Sequence, residues 1–369
     1  MKVIYTTILL LFLFSFNVFS VNENSYEIIE QTKEALFEEI DADIKAVLEE
    51  MGIYEGTIDE INNFSIEKIS SYFKTTLKEK AESCFKSFFL LLSTIIIMGS
   101  ISLMSGSNDN EGFVSLICVS VVSLLAVNIL SDSYAACISA LKMSGNFMIT
   151  FIPVYTLLIS FAGNAASALT YNSFVMAFAQ LLSGGISSFA SDIIGVLFCL
   201  SIALPLNENM NTNRFINFVN KSSSLVLGFS SCIFTGLLSI KNVLSASVDS
   251  LSVKGIRFLI SSLIPIVGSS ISEAYSSLLG SINLIKGSVA FVGILVIIII
   301  NLPIITETLM YNLALNALSY ISDMMNMSRV GETLRCISST VRILLLLCVF
   351  EMFILIISTG IVISVKSGA

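Results

Sequence analysis

A chain of 369 residues that is 55% hydrophobic, only 12% charged and has a mean hydropathy of +0.89 carries more apolar surface than a water-soluble core can enclose. Its net charge of −8 comes with no histidine at all, which removes Ser/His/Asp and Cys/His catalysis and any H-E-x-x-H zinc helix. The chain therefore reads as an all-α, polytopic integral membrane protein.

The first element is a leader. "MKVIYTTILLLFLFSFNVFS" has one lysine, an apolar core from Val3 to about Val18, and small residues at Val18 and Ser20 before a cleavage point. Residues 1–20 are expected to be a secretory signal peptide, the alternative being an uncleaved anchor; in either case the next segment is translocated. That segment, 21–84, holds 16 of the 27 acidic residues and six lysines. Ile28, Ile29, Leu36, Phe37, Ile40, Ile44, Val47 and Leu48 recur at three and four, the spacing of one helix face. A small helical extracytoplasmic segment is predicted, which either offers a docking surface to another extracytoplasmic protein or folds back onto its own membrane domain.

From residue 85 to 369 apolar runs alternate with short polar loops, at 88–104, 113–130, 147–163, 174–206, 223–240, 257–282, 287–308 and 341–365, which gives seven to eight hydrophobic segments. Residues 85–142 form a leading helical pair, 143–240 and 241–340 two repeats, and 341–369 a terminal span. Run 174–206 is too long for one straight crossing: at 1.5 Å per residue it would reach about 50 Å against a hydrocarbon core of roughly 30 Å. Gly184 and Gly185 mark the expected break, and Asp192 just beyond needs water or a partner.

The two repeats rest on the four prolines. A shift of 98 residues lays "IGVLFCLSIALPL" (194–206) on "VGILVIIIINLPI" (292–304), matching Gly195 with Gly293 and Pro205 with Pro303. A shift of 112 lays "TFIPV" (150–154) on "SLIPI" (262–266), matching Pro153 with Pro265. A proline removes an amide donor and crowds the carbonyl one turn earlier, and in lipid the freed carbonyl must find a partner. Broken helices at matching places in two halves are the pattern found around transport pathways, although Pro205 and Pro303 also stand where a helix could simply stop. Gly280, Ser281, Gly287 and Ser288 suit close helix packing.

Of the charges in the later runs, Glu351 is the most conspicuous, inside "LLLLCVFEMFILII". Its side chain either lines an ion or proton path or makes a satisfied internal contact. The seven cysteines form no C-x-x-C and read as small buried hydrophobes. There is no G-x-x-x-x-G-K-[ST], so the chain does not power anything with a P-loop of its own.

Taken together, a signal peptide, an acidic segment, "FIPVYTLLISFAG", "KGIRFLISSLIPIVGSSISEA", "GSVAFVGILVIIIINLPI" and an apolar last span resemble the stage III sporulation protein AE family of endospore-forming bacteria. The resemblance implies a non-enzymatic, multi-pass subunit in the mother-cell membrane around the forespore. It implies membership of a channel complex that supports forespore development and late forespore gene expression. The implied partners are other membrane and extracytoplasmic subunits, a separate secretion-type ATPase and the lipid bilayer; no cofactor and no nucleic acid is expected. The competing reading is a stand-alone secondary transporter, favoured by the repeat. An intramembrane enzyme is disfavoured by the lack of histidine and of paired acids.

Overall fold

The computed structural model describes residue 37 and residues 40–104, 111–206, 212–263 and 268–363. The signal peptide (1–20), the start of the acidic segment and Pro265 lie outside the described residues. Every element among the described residues is helical: α1 Ala42–Glu50, α2 Ile58–Asn62, α3 Ile66–Met104, α4 Glu111–Phe161, α5 Ala165–Gln180, a π-helical turn Leu181–Ile186, α6 Ser187–Leu206, α7 Thr212–Leu263, α8 Gly268–Met324 and α9 Ser328–Ile363. Five of them, α3, α4, α7, α8 and α9, are long and apolar enough to cross a membrane.

The apolar runs are thus gathered into fewer and longer rods than hydropathy alone separates. Runs 113–130 and 147–163 belong to one helix of 51 residues, α4, because "SDSYAACISALKMSGNF" between them stays helical. Run 174–206 passes from α5 into α6 through the π turn that contains Gly184 and Gly185, and helical geometry continues through it. The divisions drawn at 84, 142, 240 and 340 fall inside α3, α4, α7 and α9.

Three interhelical connections use one stop signal. After α1, Gly52 takes φ 81, its N–H reaches Glu49 O at 2.8 Å and the Ile53 N–H reaches Leu48 O at 2.9 Å. Gly163 (φ 81) after α4 and Asn326 (φ 61) after α8 do the same, with Asn164 N–H to Ile159 O at 3.1 Å and Met327 N–H to Ser322 O at 2.9 Å. Each left-handed residue lets two orphan carbonyls of the last turn accept hydrogen bonds. The α8–α9 turn is further clasped by Arg335, which donates to Asp323 at 2.5 Å.

α1 docks onto the molecule's own long helices. Asp41 caps it, accepting from Asp43 N at 3.1 Å, and Ile44 and Leu48, one turn apart, are buried. With Phe37, Ile40, Met51 and Ile53 they share a core cluster with Leu141 of α4 and Val292, Leu295, Val296 and Ile299 of α8. Asp43, Glu49 and Glu50 stay exposed. The described part of the acidic segment's apolar face therefore packs on the protein's own long helices. α2 begins with a reciprocal cap: Thr57 Oγ1 accepts from Glu60 N at 3.4 Å and Glu60 accepts from Thr57 N at 3.2 Å. Thr57→Ala is expected to cost about 1 kcal/mol locally, read as faster amide exchange over residues 58–62 with the exchange of α8 unchanged.

α8 is the axis, and polar side chains set its register against each neighbour. Tyr72, Lys80 and Ser87 of α3 meet Ile299 O, Glu307 and Tyr311 in rising order, so these helices run parallel. Ser133 and Ser144 of α4 meet Glu307 and Asn301 in falling order, so α4 is antiparallel to α8. Asn312 donates to Ser338 O of α9 at 2.8 Å. Apolar side chains alone hold helices together without fixing their sliding position in lipid, whereas such pairs fix it.

α7 is held differently, because its most apolar window is only 6% buried. Its Asp249 is buried and reaches the start of α5. There Asn164 makes no side-chain cap, and instead Asp249 accepts from Ala166 N at 2.8 Å and from Ser167 N and Oγ at 2.9 and 2.7 Å. A carboxylate from another helix thus occupies the place of an N-cap, satisfying two orphan amides where the helix dipole favours negative charge. Thr170 to Ser245 at 2.6 Å, Asn242 to Ile361 O at 3.2 Å and Ser339 Oγ donating to Asn220 Oδ1 at 2.9 Å add to the attachment.

Candidate functional site

The apolar stretch of α8 leading up to "IIIINLPI" contains one abrupt polar interruption, Asn301. It is fully buried, and its Nδ2 donates to Ile297 O of its own helix at 3.0 Å and to Ser144 Oγ of α4 at 2.9 Å. Glu351 of α9, also 0% exposed, places its carboxyl beside both Ser144 and Asn301. Neither carboxylate oxygen, nor Asn301 Oδ1, has an aligned hydrogen-bond donor. Three helices therefore converge on three buried oxygens that are left wanting a positive group.

The surroundings add chemistry on two sides. One turn before Glu351, the Cys348 thiol of α9 touches Cys137 of α4, Sγ to Sγ 2.8 Å. On the other side lies a cavity of about 200 Å³ between α1 and the long helices, lined by Asp41, Ile44, Met143, Asn146, Thr150 and Ile300 among others. Met143 and Ile300 immediately precede Ser144 and Asn301 in sequence, but Ser144, Asn301 and Glu351 themselves do not line the cavity. Further along α8, Glu307 accepts from Lys80 at 2.6 Å and from Ser133, which makes it a closed ionic contact and not an open site.

The residues singled out in the sequence are distributed as follows. Glu351 stands at the cluster; Asp192 is exposed on α6, beside Ser191, which bonds Tyr134. Pro153 lies exposed inside α4 and Pro303 half-buried inside α8, with helix on both sides of each, while Pro205 is one residue from the end of α6. The carbonyl that Pro303 leaves without its usual donor, Ile299 O, faces Tyr72 Oη of α3 at 3.5 Å, a long hydrogen bond. Gly195 faces open space, whereas a Cβ on Gly293 would press on the Phe151 ring at 2.6 Å, so the paired glycines have unlike surroundings. Gly184 also faces open space in the π turn, where Gly185 follows it.

Two readings of the residues need correction. Gly280 and Gly287 have nothing within 4 Å of an added Cβ, and a close approach of backbone to backbone lies elsewhere, at Gly145. There a Cβ would come 2.7 Å from Ser183 N and 3.0 Å from Ala179 O, because α4 presses backbone to backbone on the π turn and the end of α5. Among the cysteines, 84, 118, 137, 336 and 348 are buried but Cys199 and Cys232 are exposed on helices with few covering neighbours. Asn301, Ser144 and Asp249 were not anticipated; a lone Asn after four isoleucines was the one local signal.

The cluster brings together a buried carboxyl, an amide and a hydroxyl, whose oxygens can accept a hydrogen bond or a positive charge. No group of three or more His, Cys, Asp or Glu suited to a metal ion occurs among the described residues.

Comparison with known proteins gives a consistent outcome. The family model described as Stage III sporulation protein AE matches residues 42–365. The Bacillus subtilis (strain 168) protein named Stage III sporulation protein AE is 21% identical over 217 residues, 57% of this chain and 54% of that relative, so the match spans about half the relative's length. No solved structure matches.

Proposed function

The chain belongs to the stage III sporulation protein AE family, and we propose that it is a non-enzymatic membrane subunit of a multiprotein channel complex linking mother cell and forespore. In this reading it resides in the mother-cell membrane, its energy comes from a separate secretion-type ATPase, and forespore development and late forespore gene expression depend on it. The observation that carries the reading is the family match over residues 42–365. Five helices long and apolar enough to span, and a sequence without a P-loop, support a passive membrane component served by other subunits. The signal-like N-terminus and the exposed acids of α1 support an extracytoplasmic face open to such partners.

The second reading is a solitary transporter, and the buried Glu351 cluster and the repeated Ile-Pro and Leu-Pro motifs favour it. One experiment separates the two. An affinity-tagged chain is purified in mild detergent from sporulating cells, and the eluate is analysed by size and mass spectrometry. Co-elution with an ATPase and extracytoplasmic subunits is expected. A lone protein that accumulates solute in liposomes would replace the channel reading with the transporter.

A further inference from the structure

The buried Glu351 carboxyl either keeps its proton or takes a counter-charge, and the neighbouring cations are turned away from it. Lys142 of α4 and Arg342 of α9 are exposed, and Lys80 of α3 is committed to Glu307 at 2.6 Å. The groups that face the carboxyl are Ser144 and Asn301, with the Cys348 thiol one turn away. An ionised carboxylate among apolar helices, with no well-aligned donor on either oxygen, is costly unless something positive sits against it.

We propose that Glu351, Asn301 and Ser144 form a binding site for one alkali-metal cation, for which sodium is the probe. The donor set consists of oxygens: the two of the carboxylate, Asn301 Oδ1 and Ser144 Oγ. Such ligands suit a hard cation and exclude the soft transition metals that thiolate or imidazole would select. One carboxylate charge matches one positive charge; a divalent ion would leave an excess charge buried in the same place. Asn301 Nδ2 is held by Ile297 O and Ser144 Oγ, which leaves Oδ1 as its unpaired polar atom. Because the three ligands come from α4, α8 and α9, an ion there would tie together helices whose apolar contacts alone do not fix their sliding positions.

The test uses the full chain purified in detergent. Its thermal midpoint is measured in sodium chloride and in choline chloride at equal ionic strength, from neutral to mildly acidic pH. Sodium is expected to raise the wild-type midpoint by about 5 °C. Glu351→Gln, which keeps the shape and removes the charge, should lose that rise. Asn301→Ala, which keeps the charge and loses one ligand, should need at least about tenfold more sodium for the same rise and keeps the test open should Glu351→Gln fail to fold. A wild-type midpoint indifferent to sodium but raised by acid would overturn the proposal and assign the carboxyl a proton instead. An equal sodium response in wild type and both variants would also overturn it, by placing the stabilising ion elsewhere.

Discussion

Asp249→Ala should destabilise the protein by about 3–5 kcal/mol, the effect of removing one partner from a buried charge-assisted network. The substitution strands the amides of Ala166 and Ser167 and the Ser167 hydroxyl at a buried helix start. Asn164, in the N-cap position, makes no side-chain cap and cannot take over. The substitution also removes a main polar tether of α7, leaving Thr170 to Ser245, Asn242 to Ile361 O and Ser339 to Asn220 among those described. Asp249→Asn keeps one acceptor oxygen and should lose roughly half as much. Thermal unfolding in detergent reads the stability, and hydrogen exchange should show residues 165–168 losing protection first. A change below about 0.5 kcal/mol in the alanine variant would mean that water or lipid headgroups serve those amides equally well.

A comparable loss is expected from a single methyl group at Gly145. Its Cβ would meet the backbone of Ser183 and Ala179, which cannot rotate away as a side-chain tip can. Gly145→Ala should therefore cost about 2–3 kcal/mol by overpacking, or drive α4 off the π turn. Gly184→Ala, in the same turn but facing open space, supplies the control. There alanine should be neutral or stabilising by up to about 1 kcal/mol, through its better helix propensity. Equal losses in the two variants would show that the turn itself, and not the close approach, is the sensitive feature.

The sequence makes the solvent legible and the tertiary pairing much less so. Apolar composition and run length point directly to membrane-crossing helices, and the isolated charge of Glu351 within an apolar run marks the cluster from one side. Its partners are illegible locally: Ser144 sits in the unremarkable "KMSGNF", and only the fold carries it to Glu351 and Asn301. Hydropathy also mistakes polar interruptions for ends. "SDSYAACISALKMSGNF" dips in hydropathy yet remains helix, because Ser133, Tyr134 and Ser144 are answered by Glu307, Ser191 and Asn301 on neighbouring helices. Proline is judged locally in the same way. The rule that it breaks a helix concerns one lost donor, and at Pro303 the stranded Ile299 carbonyl finds Tyr72 of another helix at 3.5 Å.

The docking of α1 onto α8 has a kinetic consequence. The apolar face of Ile40, Ile44, Leu48 and Ile53 is synthesised long before Val292, Leu295, Val296 and Ile299, which cover it. At typical elongation rates of about 5–20 residues per second, that face waits roughly 10 to 50 s for its complement to be made. During this interval only the α4 side of its cover, Leu141 included, has been made, and the rest of the face is open to self-association and to proteases. The contact also joins the two ends of a long stretch of chain, so loop closure makes it among the slowest to form. Maturation of the N-terminal segment is thereby timed by completion of α8, and a chain truncated before Val292 would leave that face uncovered.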